Sequence, residues 1–239
     1  MFDRTLTFLP EFLAAMRLTA AASVLAFLLA FIFGIVGALC RRSKIPPLRW
    51  LGTVYVELIR NTPVLVQIFI IYFGLPYFGI RFGPFSAGVI ALSVNAGAYL
   101  TEIMRAGLAA VPKGQIEAAK TLALNRRDAF RFVIFPQAVR FVYPPVVNQF
   151  VQIILGSSLL SAVTLHELTY TARVINSQTL QTMQVFTVAL VLYLILTNLV
   201  GFGADLVGRA VFHPPLQIKA SDGTDVGLRQ RLRLLARGA

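Results

Sequence analysis

Residues 12–39 read FLAAMRLTAAASVLAFLLAFIFGIVGAL, an apolar run interrupted by one charged residue, Arg17. About 20 such residues cross the hydrocarbon core of a bilayer as a helix. The run exceeds the apolar core of a secretory leader, which spans about 7–15 residues. The GALC tetrad at 37–40 loosely matches a lipoprotein cleavage box, but a bulky Leu39 precedes Cys40 and the site lies too deep in the chain. Arg41, Arg42, Lys44 and Arg49 follow the run, and basic clusters of this kind stay on the cytoplasmic side.

Four more apolar segments follow, at 52–78, 85–110, 137–163 and 185–212. Backbone in lipid must satisfy its own hydrogen bonds, so spanning segments of this length are helices. The expected fold class is therefore all-α integral membrane, with five transmembrane helices. Composition agrees: 57% of residues are hydrophobic and 13% charged, with mean hydropathy +0.74, against about 25% charged in soluble domains. The net charge of +12 suits loops held against an anionic leaflet. No nucleic-acid module accompanies it, so nucleic acid is not an expected partner. One cysteine excludes an internal disulfide, and His166 and His213 have no metal-ligand spacing. No metal is expected. Five spans with basic inner loops put the N-terminus in the periplasm and the C-terminus in the cytoplasm.

Polar residues inside the spans carry the functional signal. Glu57, Arg60, Asn61, Thr62 and Gln67 lie in or beside the second span, and intramembrane ionisable groups usually face protein or a water-filled cavity. Glu57 and Arg60 are spaced to pair on one helical face, as are Glu102 and Arg105 at the end of the third. The first pair reads equally well as an anchor at the membrane boundary. Pro63 is expected to kink the second span or to start its inner helix. Asn95 suits a helix–helix hydrogen bond. In the fourth span Pro144 and Pro145 are expected to break the start, and Gly156 to mark an irregularity. Asn148, Gln149, Gln152, Ser157 and Ser158 run along that span. They suit a substrate path or helix–helix hydrogen bonding, and the residues alone leave both open.

Residues 111–136, VPKGQIEAAKTLALNRRDAFRFVIFP, form the one long polar connection. Ile116, Ala119, Leu122 and Ala123 recur at helical spacing, and Phe130, Val133 and Ile134 suggest a second short helix. Asn125 is a candidate left-handed break between them. The expectation is a helix–turn–helix on the inner membrane surface presenting Glu117, Lys120, Asn125 and Arg126. Residues 164–184 form an external, partly helical segment. The basic tail, 213–239, is expected to lie in the cytoplasm, with RQRLRLLARG as a surface-lying amphipathic stretch.

The stretch EAAKTLALN followed by FPQA resembles the EAA loop of permease subunits of bacterial ABC importers. ELIRNTPVLVQIFIIYFGLP, NAGAYLTEIMRAGLAAVPKGQIEAAKTLALN and FPQAVRFVYPPVVNQFVQ are similar to the polar amino acid branch. The resemblance covers roughly residues 12–212 and implies a type I importer transmembrane domain over 1–212. It implies a multi-pass subunit of the bacterial inner membrane that moves polar amino acids. The implied partners are a second permease subunit, two ATPase subunits, a periplasmic solute-binding protein and membrane lipids. The implied coupling residues are Glu117, Ala118, Ala119, Leu122, Ala123, Asn125 and Arg126. The substrate-path candidates are Gln67, Asn95, Asn148, Gln152, Ser157 and Ser158, and the inner-end ion pairs are Glu57–Arg60 and Glu102–Arg105.

This sequence departs from the family pattern twice. Ala123 replaces a usual glycine, and alanine at positive φ is costly, so the backbone there is expected to stay helical. Residues 154–158 read ILGSS where the family often has Leu-Lys-Asp-Ser/Thr-Ser. The missing charged pair suggests the weaker or non-binding half of a heterodimer, rather than one of two identical subunits. No G-x-x-x-x-G-K-[ST] phosphate loop is present. ATP and Mg are therefore expected on the partner ATPase, and the chain itself is expected to hold no cofactor and to be no enzyme. The rival readings are an ion-gradient-driven transporter and a membrane scaffold.

Overall fold

The computed structural model describes residues 7–212, and among these it is helical with short connections. The order is α1 (Leu9–Arg42), α2 (Pro46–Arg60), α3 (Val64–Phe78) and α4 (Pro84–Ala109), then α5 (Lys113–Thr121), α6 (Arg126–Val163), α7 (Leu168–Thr179) and α8 (Thr182–Val211). Helices α1, α4, α6 and α8 are long and apolar enough to cross a membrane, and α2 with α3 forms a fifth, broken crossing. His213 and the basic tail lie outside the described residues.

Helices α1 and α4 form the centre. α1 buries Ala22, Ala26, Ala30, Gly34 and Gly37 and exposes Leu25, Leu28, Ile32 and Val36. Lipid tails are as apolar as leucine, so the large side chains face lipid while small ones let backbones approach. A Cβ on Gly34 would come within 2.7 Å of Leu100 Cβ, and one on Gly97 within 2.6 Å of Phe33 Cβ. Thr101 closes the seam: its hydroxyl donates to the Gly97 carbonyl at 2.9 Å, and the Gly34 carbonyl lies 3.4 Å away. Ile68, Leu92, Ile153 and Leu160 complete this core.

A second core gathers α7 against α1 and α8, through Phe12, Leu168, Ala172, Ile175, Val185 and Leu192. Glu167 caps α7 from a fully buried position. Its Oε1 accepts the Tyr170 N–H at 2.8 Å; its Oε2 accepts the Thr169 N–H at 2.9 Å and the Tyr193 hydroxyl at 2.6 Å. Burial raises the pKa of this carboxyl against the opposing pull of those hydrogen bonds.

Three expectations are corrected. The second span begins at Pro46 rather than at 52, and it bends by 106° between Arg60 and Val64, where a break at Pro63 was expected. Pro63 supplies no N–H to continue α2 and disfavours helix at Thr62, and Pro63 instead caps α3. The second helix of the 111–136 connection is not separate. It continues into the fourth span through a π turn at Ala129–Ile134, making α6 one rod. Pro144 and Pro145 lie inside that rod rather than breaking it. At Gly156 the α-helix does end, giving way to 3₁₀ geometry over Ser157–Val163.

Candidate functional site

The bend between α2 and α3 frees backbone acceptors. Ile59 would bond the N–H of residue 63, and that residue is proline. Buried Gln67 fills the gap: its Nε2 donates to the Ile59 carbonyl at 2.9 Å, the Thr62 carbonyl at 3.2 Å and Thr62 Oγ1 at 2.8 Å. Two backbone carbonyls can only accept, so the Gln67 amide has one orientation. Its Oε1 therefore points the other way and accepts from Asn95 Nδ2 on α4 at 3.0 Å.

Asn95 sits on the wall of a cavity of about 480 Å³ between α4 and α6, with Tyr99, Asn148, Gln149 and Gln152 among its lining residues. Among the described residues, the side chains of Asn148, Gln149 and Gln152 make no protein hydrogen bond. Three free amides on one wall suit a polar guest. Ser157 and Ser158 do not join them. Their hydroxyls bond back to Ile154 and Leu155 carbonyls, each at 2.7 Å, and neither residue lines the cavity. That is the ordinary behaviour of serine in a membrane helix. Tyr99 is a lining residue that the sequence reading did not single out. Tyr99 stands one helical turn from Asn95 on α4, so its place on that face was readable from spacing.

At the C-terminal ends of α1 and α4, Glu102 holds both Arg41 and Arg105. The Arg105 guanidinium donates at 2.8 and 3.0 Å, and Arg41 closes a salt bridge across the helix pair. The expected Glu57–Arg60 pair is absent among the described residues. Glu57 instead accepts from Asn61 Nδ2 at 3.2 Å. Arg60 lies over the Tyr99 ring, 5.1 Å from its centroid.

Helix α5 lies at this same end. Its C-terminus is a Schellman motif: Leu124 N–H bonds the Ala119 carbonyl at 3.1 Å and Ala123 N–H the Lys120 carbonyl at 2.9 Å. Ala123 has φ 54°, so its backbone does not stay helical as expected. The two bonds impose the left-handed turn despite the Cβ. The break is thus at Ala123 and not Asn125, which is extended and caps α6 by accepting the N–H groups of Arg127 and Asp128 at 3.0 and 2.9 Å. Ala119 is 2% exposed and packs inward. Glu117, Ala118, Ala123 and Arg126 are exposed, and Leu122 is 74% exposed.

Residues 30–211 match the family model for the binding-protein-dependent transport system inner membrane component, and the chain belongs to that family. It is 40% identical over 191 residues to the probable glutamine ABC transporter permease protein GlnM of Bacillus subtilis (strain 168), covering 80% of this chain and 88% of that one. It is 38% identical over 204 residues to the L-cystine transport system permease protein TcyB of the same organism, covering 85% and 87%. A crystal structure of an amino acid ABC transporter with histidines superposes with TM-score 0.83 at 34% identity, covering 88% of this chain and 98% of that chain. The inward-facing MetNI methionine ABC transporter shares the fold at TM-score 0.63 and 21% identity, covering 88% and 98%. The protein is the permease subunit of an ABC transporter, a multi-pass membrane component and not an enzyme.

Proposed function

We propose that this permease carries polar amino acids inward across the bacterial inner membrane, driven by a separate ATPase that grips α5. The observation that carries the coupling is the surface of α5: a largely exposed Leu122 beside Ala118, Ala123 and Glu117 at a helix end. A large apolar side chain on a polar surface helix, flanked by small residues, suits a protein groove. Ala119 contributes by seating α5 rather than by touching the partner, and Asn125 by starting α6. α6 is one rod, so a pull on α5 and the Arg126 end is delivered directly to the wall that bears Asn148 and Gln152. Glu102 ties α1 to α4 at that end and keeps the centre rigid.

ATP and Mg belong to the two ATPase subunits, and a periplasmic binding protein delivers cargo to the opposite end. The N-terminus is periplasmic and the C-terminus cytoplasmic. The amide-lined cavity and relatives named for glutamine and cystine support that cargo class. The lining residues include no charged side chain, which fits a heteromeric partner that supplies the charged contacts. The test is copurification from membranes followed by ATP hydrolysis in proteoliposomes. Stimulation by binding protein loaded with an amino acid is expected. Uptake that persists without ATP or any ATPase subunit would establish the ion-gradient reading instead, and ATPase binding with no substrate response would establish a scaffold.

A further inference from the structure

We infer that Gln67 is a specificity-positioning residue: it fixes the Asn95 amide so that the cavity presents a hydrogen-bond acceptor to the α-ammonium group of the amino acid. The inference rests on the proposed function, since it takes the cavity as the substrate path.

The chain of constraint begins in the backbone. Pro63 leaves the Ile59 carbonyl without its helical partner, and Gln67 Nε2 serves it together with the Thr62 carbonyl. Neither carbonyl can donate, so Gln67 cannot turn over, and Oε1 must face α4. Asn95 must then offer Nδ2 to it, as found at 3.0 Å. This is the one side-chain hydrogen bond that Asn95 makes among the described residues. The acceptor Oδ1 is left over on a residue that lines the cavity. An asparagine free to rotate would offer donor or acceptor equally, and would grip a carboxylate as readily as an ammonium. The relay from the bend removes that choice. Asn148, Gln149 and Gln152, which are not tied in this way, remain free to serve the carboxylate and the side chain.

The permease assembly purified in detergent, with its partner subunits and without binding protein, is titrated at equilibrium with radiolabelled L-amino acids, each in turn. Competitors are the matching acids lacking the α-amino group. Gln67→Met keeps the volume but removes both the donor and the acceptor. Its dissociation constant for the bound amino acid is expected to rise roughly tenfold or more, the scale of one hydrogen bond to a charged group. Its preference over the des-amino competitor should shrink by the same factor. Asn95→Leu should do likewise. Asn95→Asp presents an acceptor in every rotamer and needs no positioning, but it also sets a carboxylate against Gln67 Oε1, so it is read in the Gln67→Met background, where that oxygen is gone. The deciding variant is Q67M/N95D. Under the inference it recovers the affinity that Q67M loses, whereas a packing role for Gln67 leaves the double variant as weak as Q67M. Wild-type binding with unaltered Q67M affinity, or a double variant no tighter than Q67M, overturns the inference alone. An assembly that binds no amino acid overturns it together with the proposed function.

Discussion

Gly37→Ala probes the α1–α4 seam. The new Cβ would fall far inside contact with Thr101 Oγ1, and 3.2 Å from Thr101 Cβ. The hydroxyl cannot simply swing aside, because it donates to the Gly97 carbonyl at 2.9 Å and its methyl lies 3.1 Å from the same new carbon. Either Thr101 leaves its rotamer and its hydrogen bond, or the two helices part. Overpacking of this kind costs about 1–3 kcal/mol, and an intramembrane hydrogen bond adds about 0.6 kcal/mol. We therefore expect a loss of about 2 kcal/mol, which lowers the unfolding temperature by roughly 4–8 °C. Thr101→Ala alone should cost about 1 kcal/mol. Independent effects would sum to about 3 kcal/mol. The G37A/T101A double variant should instead lose only about 1 kcal/mol, since the clashing oxygen is gone. Heat-induced labelling of Cys40, the chain's single cysteine, reads unfolding of the subunit purified in detergent. A double variant no more stable than Gly37→Ala would refute the reasoning.

Further predictions concern the ends of the bundle. Ala123→Gly removes a Cβ from a left-handed position and should stabilise the protein by about 1 kcal/mol in the same assay. Ala123→Val should destabilise it by a similar amount or more. Glu102→Gln leaves Arg41 and Arg105 without their shared carboxylate and should cost about 1–2 kcal/mol. Arg105→Gln removes only the half-exposed partner and should cost under about 1 kcal/mol. Because burial raises the Glu167 pKa, the folded state holds that proton more tightly than the unfolded chain. Glu167 thus contributes its stability at acid pH and loses it as pH rises from the ordinary carboxylate range through the raised value. Unfolding temperature across that window should fall for wild type and stay flatter for Glu167→Gln, a variant with lower stability in acid because one cap acceptor is lost.

The spans were readable because lipid leaves the backbone few choices: long apolar runs gave α1, α4 and α8 to within a few residues, whereas α6 starts at Arg126, well before the expected 137. The small-residue face of α4 was readable for the same reason, since Ala96, Gly97 and Ala98 have no other use in a helix of that length. The 106° bend was legible only as a kink or helix start at Pro63, without its angle. Its angle depends on how Gln67 and Thr62 recover the stranded carbonyls, which involves residues a turn or more apart. Ala123 defeated the sequence argument because alanine's reluctance at positive φ, about 1–2 kcal/mol, yields to the two Schellman hydrogen bonds and to buried Ala119. Ser157 and Ser158 were misplaced because a serine in a membrane helix can satisfy itself, and nothing in residue type tells that serine from one that lines a path. Asn95, Asn148 and Gln152, by contrast, do line the cavity.

The central claim is that a motor outside the membrane works this bundle through α5. Ala118→Arg combined with Leu122→Asp places bulk and charge on its exposed face, where neither residue is buried. The assembly carrying this permease is reconstituted with its ATPase and loaded binding protein, and ATP-driven amino acid uptake is measured. The account predicts a fall of at least tenfold, with the unfolding temperature of the purified subunit unchanged. Uptake at the wild-type rate would contradict it.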